Sequence, residues 1–362
     1  MQFGKRVRKW DVAENELARA IRARRESGLP FRDFTSANPT LCGFAPTSPV
    51  LDDVRIYSPE PMGLRAAREA IAAYYAERGV ALSPDAILLT ASTSEAYSFL
   101  LKLLTSPGDQ ILVPAPSYPL FDFIADLELV SLAPYHLAWD GQAWRLDRAS
   151  LTRAVTATTR AVMVVHPNNP TGSYIKKDER DDLIDFCDRH DLALITDEVF
   201  FDYAFGPDPS RAPWVASDRV LSFVLNGLSK TLALPHVKLG WIVVEGPPAI
   251  RRAALDRLEV ISDTYLSVGS AIQVSLPRLL ALRAAIQAPI LSHVIRRHAH
   301  GFADLEMPLP VEGGWSAICP CPAPDFDFAT DLARRGVFVH PGTFFGFEGE
   351  SHVVVSLLAP FE

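Results

Sequence analysis

The chain has 362 residues, 48% of them hydrophobic, and 35 Lys and Arg against 43 Asp and Glu give it a net charge of −8. That supplies a sizeable core for one large or two ordinary domains and excludes a disordered chain, while an acidic balance without a dominant basic cluster argues against nucleic acid as a principal partner. No apolar run is long enough to span a bilayer, and no apolar segment follows the basic start at Lys5, Arg6, Arg8 and Lys9, so neither a membrane span nor a signal peptide is expected.

In chain order, the spacing of Val12, Leu17, Ala18 and Ile21 predicts a helix over 11–25, stopped by Gly28 and Pro30. From Pro61 to Gly246, helices alternate with short apolar strands, the pattern of a mostly parallel sheet covered on both faces. The strands expected there include Ala86–Leu89, Gln110–Val113, Ala161–Val165, Leu192–Thr196 and Val220–Leu225. Residues 249–297 read as largely helical. A strand starts at Gly313, a helix covers Phe326–Arg335, and Val353–Leu358 is a final strand. Cys42, Cys187, Cys319 and Cys321 lack a usual zinc spacing and read as free thiols in a reducing cytoplasm. His293, His298 and His300 on the long helical stretch read as a solvated face rather than a metal site.

Three of these strands end in polar groups. Asn168-Asn169-Pro170-Thr171-Gly172 follows one, Asp197-Glu198-Val199 the next, and Asn226-Gly227-Leu228-Ser229-Lys230 the third. In an open α/β sheet the carboxyl ends of strands form the crevice where ligands collect. Taken singly, each residue has an ordinary use: Asn169 in a turn, Asp197 as a cap, Lys230 as a solvated cation. Together they match the needs of pyridoxal phosphate chemistry. A desolvated lysine has a lowered pKa and forms an imine with an aldehyde, and a carboxylate holds a pyridine nitrogen protonated so that the ring accepts electrons. An amide then donates to the ring's phenolic oxygen.

With these motifs in their order, the chain resembles the class I and II aminotransferases of the fold type I pyridoxal phosphate dependent enzymes. Leu234-Pro235, Leu239-Gly240-Trp241, Gly336-Val337-Phe338-Val339 and Pro341-Gly342 extend the likeness from about Phe31 to the C-terminus. The resemblance implies an α/β fold with a three-layer αβα large domain on a mostly parallel, mixed sheet, residues 52–245. A smaller α+β domain would come from residues 1–51 and 246–362. It implies pyridoxal 5'-phosphate as cofactor, with Lys230 and Asp197 catalytic and Lys230 carrying the Schiff base. Asn169 would bind the ring oxygen and Tyr118 would stack on the ring. Ser92, Thr93, Ser229 and Lys238 would hold the phosphate, and Ser92 or Thr93 with Glu95 would equally make a helix capping box. Tyr57 would reach the phosphate of a neighbouring subunit, which implies a homodimer with shared active sites. Ser36 to Thr40 would border the substrate, and Trp315, Phe344 and Phe345 would supply apolar walls. No metal is implied.

Four positions depart from the family pattern. Phe200 stands where a tyrosine usually donates to the ring oxygen, with Tyr203 a candidate replacement. Gly227 and Lys238 stand where a serine and an arginine usually meet the phosphate. Val354 stands where an arginine usually pairs with the substrate's alpha-carboxylate. The expected activity is amino-group transfer between an amino acid or related amine and a 2-oxo acid, in the cytoplasm, as part of a biosynthetic process. The alternative, given Val354, is a lyase, decarboxylase or oxidase of the same fold. An effector sensor joined to a DNA-binding reader is not expected, since only a short helix precedes the fold.

Overall fold

The computed structural model describes residues 14–36, 38–39, 42–44, 59–266, 268–349 and 351–361. Helix α1 (Glu16–Glu26) opens on Asn15, whose side chain accepts the Ala18 N–H, and leads to the two-residue strand β1 (Arg32–Asp33). Helix α2 (Arg65–Glu77) follows. Strand β2 (Ile87–Thr90) then enters the main sheet, and α3 (Thr93–Leu104) leaves it at once. Next come β3 (Gln110–Ala115), α4 (Leu120–Glu128), and a hairpin of β4 (Ser131–Trp139) and β5 (Trp144–Leu146). Two strand–helix units continue the pattern: α5 (Arg148–Ala154) with β6 (Thr159–Val165), and α6 (Lys177–His190) with β7 (Ala193–Asp197). Strand β8 (Ser222–Gly227) runs into the single turn α7 (Leu228–Thr231), and β9 (Gly240–Glu245) returns beside it.

These strands form one eight-stranded sheet in the order β2-β9-β8-β7-β6-β3-β4-β5. Strands β8, β7, β6, β3 and β4 pair in parallel, β9 runs antiparallel to both β2 and β8, and β5 is an antiparallel edge. The sheet has apolar residues on both faces, as a parallel sheet covered by helices requires. On one face Leu88, Ile111, Met163, Ile195 and Phe223 pack with Tyr97, Leu100, Ile124 and Leu258 of α3, α4 and the helix α8 (Pro248–Tyr265). On the other, Leu112, Val164 and Leu194 meet Leu151, Leu183 and Phe186 of α5 and α6. Beside them Ile87, Val224 and Trp241 meet Ile71 and Tyr75 of α2 and Ile272 and Leu276 of α9 (Ser270–Ala281).

The stretch expected to be largely helical from 249 to 297 is built of three helices, with breaks after Tyr265 and at Leu282, the last being α10 (Arg283–His300). Among the described residues no single helix is long and apolar enough to cross a membrane. The bent pair α9 and α10 reaches that level only by length and composition, and the apolar residues of α9 are already packed on α2. Strand β10 (Ser316–Pro320), helix α11 (Asp325–Arg335), and strands β11 (Val337–Phe338), β12 (His340–Pro341) and β13 (His352–Ser356) complete the chain. Strands β10, β13 and β12 make a separate three-stranded antiparallel sheet, and β1 pairs with β11. Leu17 of α1, Ile290 and Val294 of α10, and Ala329 and Leu332 of α11 pack against this second sheet with Ala317, Val353 and Val355.

Strand β3 has β4 on one side and β6 on the other. The chain therefore changes direction across the sheet between β3 and β6, and a crevice at the carboxyl ends of these strands is where a ligand binds in such a fold.

Candidate active site

Asn169, Asp197 and Lys230 follow or end β6, β7 and β8 at this carboxyl edge. Asp197 ends β7 and is buried. Its Oδ2 accepts a 2.6 Å hydrogen bond from the Tyr97 hydroxyl of α3, and its Oδ1 accepts the Val199 N–H at 2.9 Å. Burial pushes the Asp197 carboxyl above its ordinary range, with Tyr97, the Val199 N–H and Lys230 opposing that shift. Tyr97 was not foreseen from the sequence. On an apolar helix face it reads as core, and only the fold brings it to a carboxylate a hundred positions away.

Lys230 sits in the short turn α7, which is held on several sides. The Asn226 Oδ1 accepts both the Gly227 N–H at 2.7 Å and the Thr231 hydroxyl at 2.9 Å, and Gln287 donates to the Thr231 carbonyl at 2.9 Å. The Lys230 amine is desolvated, and this lowers its pKa to about 8 against the opposing attraction of Asp197. Its Nζ lies 5.3 Å from the Phe200 ring centre and 5.1 Å from that of Trp315. Tyr203, the candidate substitute for the missing tyrosine at 200, is fully buried and donates to the Lys230 carbonyl at 2.8 Å. Its hydroxyl is engaged by the lysine's own backbone.

Asn168 fastens the β6 end to the β3 end by donating to the Pro116 carbonyl at 3.2 Å, while its Oδ1 accepts from the N–H and hydroxyl of Thr171. Gly172, at φ +69, brings the turn against the second sheet, where a Cβ would lie 2.6 Å from the Gly313 carbonyl oxygen. Asn169 is partly buried, and its Oδ1 is enclosed with no partner among the described residues. So is the Ser117 Oγ. Buried polar atoms left over by a fold call for a ligand or water. Tyr118 follows β3 with 44% of its surface exposed and stands edge-to-face to Phe121, ring centres 6.3 Å apart.

Of the proposed phosphate residues, Ser92 and Thr93 open α3. Ser92 is the N-cap and accepts the Glu95 N–H at 3.2 Å, while Glu95 reaches back past the cap to accept the Ala91 N–H at 2.6 Å. Thr93 is the first helical residue, and the free N–H groups with the helix dipole suit an anion. The Leu239-Gly240 segment passes directly behind, where a Cβ on Gly240 would lie 3.1 Å from the Ser92 carbonyl carbon. Gly227 has a local reason to replace serine: a Cβ there would meet the Gly240 Cα and the Leu239 oxygen, each at 3.1 Å. Lys238, exposed and at φ 56, lines a cavity of about 450 Å³ together with Ala91, Glu95 and Tyr265. Ser229 is partly buried in α7, one residue before Lys230. Tyr57 lies outside the described residues, as do Ala37 and Thr40 of the strip expected to border substrate.

Val354 is 2% exposed and packs with Trp144, Ile318 and Phe345. The position expected to meet a carboxylate is thus apolar, with apolar neighbours. Among the described residues no cluster of His, Cys, Asp and Glu could hold a metal ion. His293 and His298 are instead paired with the backbone carbonyls of Ala359 and Leu309.

The family model for aminotransferase class I and II matches residues 53–357. The chain belongs to that family. Among the curated relatives, the glutamate-pyruvate aminotransferase AlaA of Escherichia coli is 27% identical over 248 residues, 67% of this chain and 61% of the relative. A tyrosine aminotransferase of Caenorhabditis elegans is 24% identical over 309 residues, 82% of this chain and 66% of that protein. The match thus spans less than two thirds of these relatives' length. Among solved structures, an alanine aminotransferase from Pyrococcus furiosus superposes with a TM-score of 0.87 at 20% identity, covering 99% of this chain and 95% of that one. The Thermotoga maritima aspartate aminotransferase gives 0.81 at 17% identity, covering 99% and 95%. These structures share the fold, an α/β architecture on a mixed, mostly parallel sheet, as the sequence led us to expect.

Proposed function

We propose that this chain is a pyridoxal 5'-phosphate dependent aminotransferase that moves an amino group between an amino acid or related amine and a 2-oxo acid. The observation that carries the reading is the desolvated Lys230 amine, its pKa brought near neutrality, at the same sheet edge as a buried carboxylate to which it is electrostatically coupled. Asn169 supports a fit to the cofactor, since its Oδ1 has no partner among the described residues and nothing holds the amide from turning its NH2 to the ring's phenolic oxygen, and the 44% exposed Tyr118 leaves ring surface for stacking. Family membership and the names of the matched relatives support the same reaction, and none of them supports a lyase, decarboxylase or oxidase.

When bound, the cofactor supplies an electron sink for charge leaving the substrate's alpha carbon. The chain's own groups do the rest. Lys230 Nζ would hold the cofactor, and its amine, buried and with a lowered pKa, would be suited to take a proton from the substrate's alpha carbon and return one. Asp197, held by Tyr97, keeps a proton on the ring nitrogen. Asn169 orients the ring through its phenolic oxygen. Ser92, Thr93, Ser229 and Lys238 hold the phosphate through hydroxyls, leading N–H groups and one cation.

We extend the proposal to a homodimer in which Tyr57 of a second copy completes the phosphate site, and to the cytoplasm, where free thiols such as Cys42 and Cys187 stay reduced. As domains, we propose a large unit built on residues 52–245 and a small one built on 1–51 and 246–362. Helices α8 and α9 of the latter range ride on the large unit's sheet.

The test uses the full chain with the cofactor. Borohydride reduction followed by peptide mass spectrometry should find the cofactor on the Lys230 peptide, and an amino donor with a 2-oxo acid should exchange the amino group. Lys230→Ala should lower that exchange by at least about a thousandfold. Release of carbon dioxide or ammonia in place of exchange refutes the reading. Light scattering should give the mass of two chains, and a single-chain mass removes the shared site.

A further inference from the structure

Around Lys230 the chain builds a feature that neither binding the cofactor nor completing the sheet requires. Trp315 is 1% exposed, and Tyr203 and Phe200 stand edge-on to it with ring centres 4.9 and 5.5 Å away. The lysine amine lies about equally far from Phe200 and Trp315. Tyr203 binds the lysine from the other end, through its carbonyl.

The two chain segments that carry these rings are joined by backbone bonds. Phe205 N–H donates to the Glu312 carbonyl at 2.9 Å, Gly314 N–H donates to the Tyr203 carbonyl at 3.0 Å, and Ala204 bridges Gly313. Gly313 permits the approach, because a Cβ there would lie 2.5 Å from the Tyr203 oxygen. The placement of Trp315 therefore follows from that of Tyr203, and the placement of Tyr203 from that of Lys230.

We propose that Phe200 and Trp315 form an aromatic seat that positions the amine of Lys230, with Tyr203 anchoring the lysine's backbone, so that Trp315 and Tyr203 are positioning residues for the proton-carrying group. The inference rests on the reading of Lys230 as the reactive amine. The face of an aromatic ring attracts an ammonium, and the attraction grows where water is excluded. A lysine that alternates between holding a cofactor and carrying a proton has no fixed partner for its freed amine. The seat gives the ammonium form a preferred place without a hydrogen bond that would have to be broken before transfer.

It also gives Phe200 a reason. A ring without a hydroxyl presents a clean π face to the amine, and the chain spends its nearby phenol, Tyr203, on the lysine's carbonyl. The titratable groups around the amine are Asp197 at the end of β7, with Tyr97 of α3 behind it, and the Tyr203 hydroxyl; Glu198 beside Asp197 is paired with Arg78. Burial lowers the amine's pKa and Asp197 raises it. The seat adds to the side of Asp197.

The test needs no bound cofactor, so its failure is distinct from failure of the proposed activity. The full chain is treated with acetic anhydride across pH, and acetylation of the Lys230 peptide is followed by mass spectrometry. The native midpoint is expected near pH 8. Removing a ring face while keeping the site dry destabilises the ammonium, so the midpoint should fall. Trp315→Leu should raise acetylation at pH 7 about three- to tenfold, and Phe200→Leu by a smaller factor in the same direction. Trp315→Phe, which restores a ring, should return most of the way to the native midpoint. A space-filling role would leave the midpoint in place, so an unchanged or raised midpoint in the leucine variants overturns the proposal. If Trp315→Leu fails to fold, Phe200→Leu decides it in the same way: a lowered midpoint supports the seat and an unchanged or raised one overturns it.

Discussion

Asp197 is a carboxyl group that the fold makes harder to ionise, because burial raises its pKa more than Tyr97, the Val199 N–H and Lys230 lower it. The sign of the consequence is definite. A group whose folded pKa lies above its unfolded value makes stability fall as pH rises through that interval, since the native state must then bury a charge the unfolded state solvates. Asp197→Asn removes the charge, keeps an oxygen to accept the Val199 N–H, and lets its NH2 donate to the Tyr97 hydroxyl oxygen, whose own hydrogen turns away. It should raise the cofactor-free melting temperature at pH 7 by about 2 °C and flatten its dependence on pH, measured by calorimetry. The same change removes the counter-charge for a protonated ring nitrogen, so cofactor affinity should fall. A melting temperature that drops at pH 7 would mean that the carboxylate is favourably solvated and that burial has been overstated. Lys230, Asp197 and Asn169 were legible in the sequence because each follows an apolar run at a strand's carboxyl end. Tyr97 and the true partner of Tyr203 were not, and Trp315 was expected only as an apolar wall, because aromatic residues have the same sequence signature whether they fill a core or line a site.

The turn that carries Asp197 is braced by a neighbouring element through a second carboxylate. Glu198 is fully buried and accepts a 2.8 Å bond from Arg78, which follows α2. The guanidinium also lies 3.6 Å from the Phe201 ring centre and contacts the rings of Tyr74 and Tyr75. Tyr74 continues the chain of contacts to Asp202, and Gln287 of α10 bridges Asp202 to the Thr231 carbonyl beside Lys230. Helices α2 and α10 thus both reach the turns that hold Asp197 and Lys230. Arg78→Met would leave the Glu198 charge buried without its partner and should cost about 3–5 kcal/mol in urea unfolding. Adding Glu198→Gln to that variant should recover a large part of the loss, because the pair's worth lies mainly in not being broken. A single variant as stable as the native chain would contradict the pairing. Sequence periodicity located most of these elements within a few residues. It did not show β9 running antiparallel between β2 and β8, nor the β4–β5 hairpin, because an apolar run shows that a strand is buried but carries no record of its neighbours or direction.

The eight-stranded and three-stranded sheets are linked near the site by charge as well as by backbone. Lys176, 3% exposed just before α6, pairs with Asp208 at 2.6 Å and with Glu312, the residue that precedes Gly313 and the strip leading to Trp315. Arg211, which approaches Glu312 at 3.8 Å, stacks 3.8 Å from the Tyr174 ring centre. The Asp208 carboxyl is held well below its ordinary range, first by the hydrogen bond from Lys176 and then by that from Ser210. A depressed folded pKa contributes stability that is fully present above the unfolded carboxylate value and is lost as pH falls towards the folded one. The link between the sheets should therefore be intact at neutral pH and weaken below about pH 4, where the unfolded aspartate begins to take up its proton. Lys176→Met removes the shared cation and leaves two carboxylates facing each other. At pH 7 this variant should unfold at lower urea than the native chain, and its disadvantage should shrink as pH is lowered and the carboxylates are neutralised. Because Glu312 anchors the strip that carries Trp315, the variant should also shift the Lys230 acetylation midpoint, whereas a purely local ion pair would change stability alone. An acetylation midpoint equal to the native one, in a variant that is measurably less stable, would separate the charge link from the site and leave the backbone bonds of Tyr203 and Phe205 as the sole carriers of that coupling.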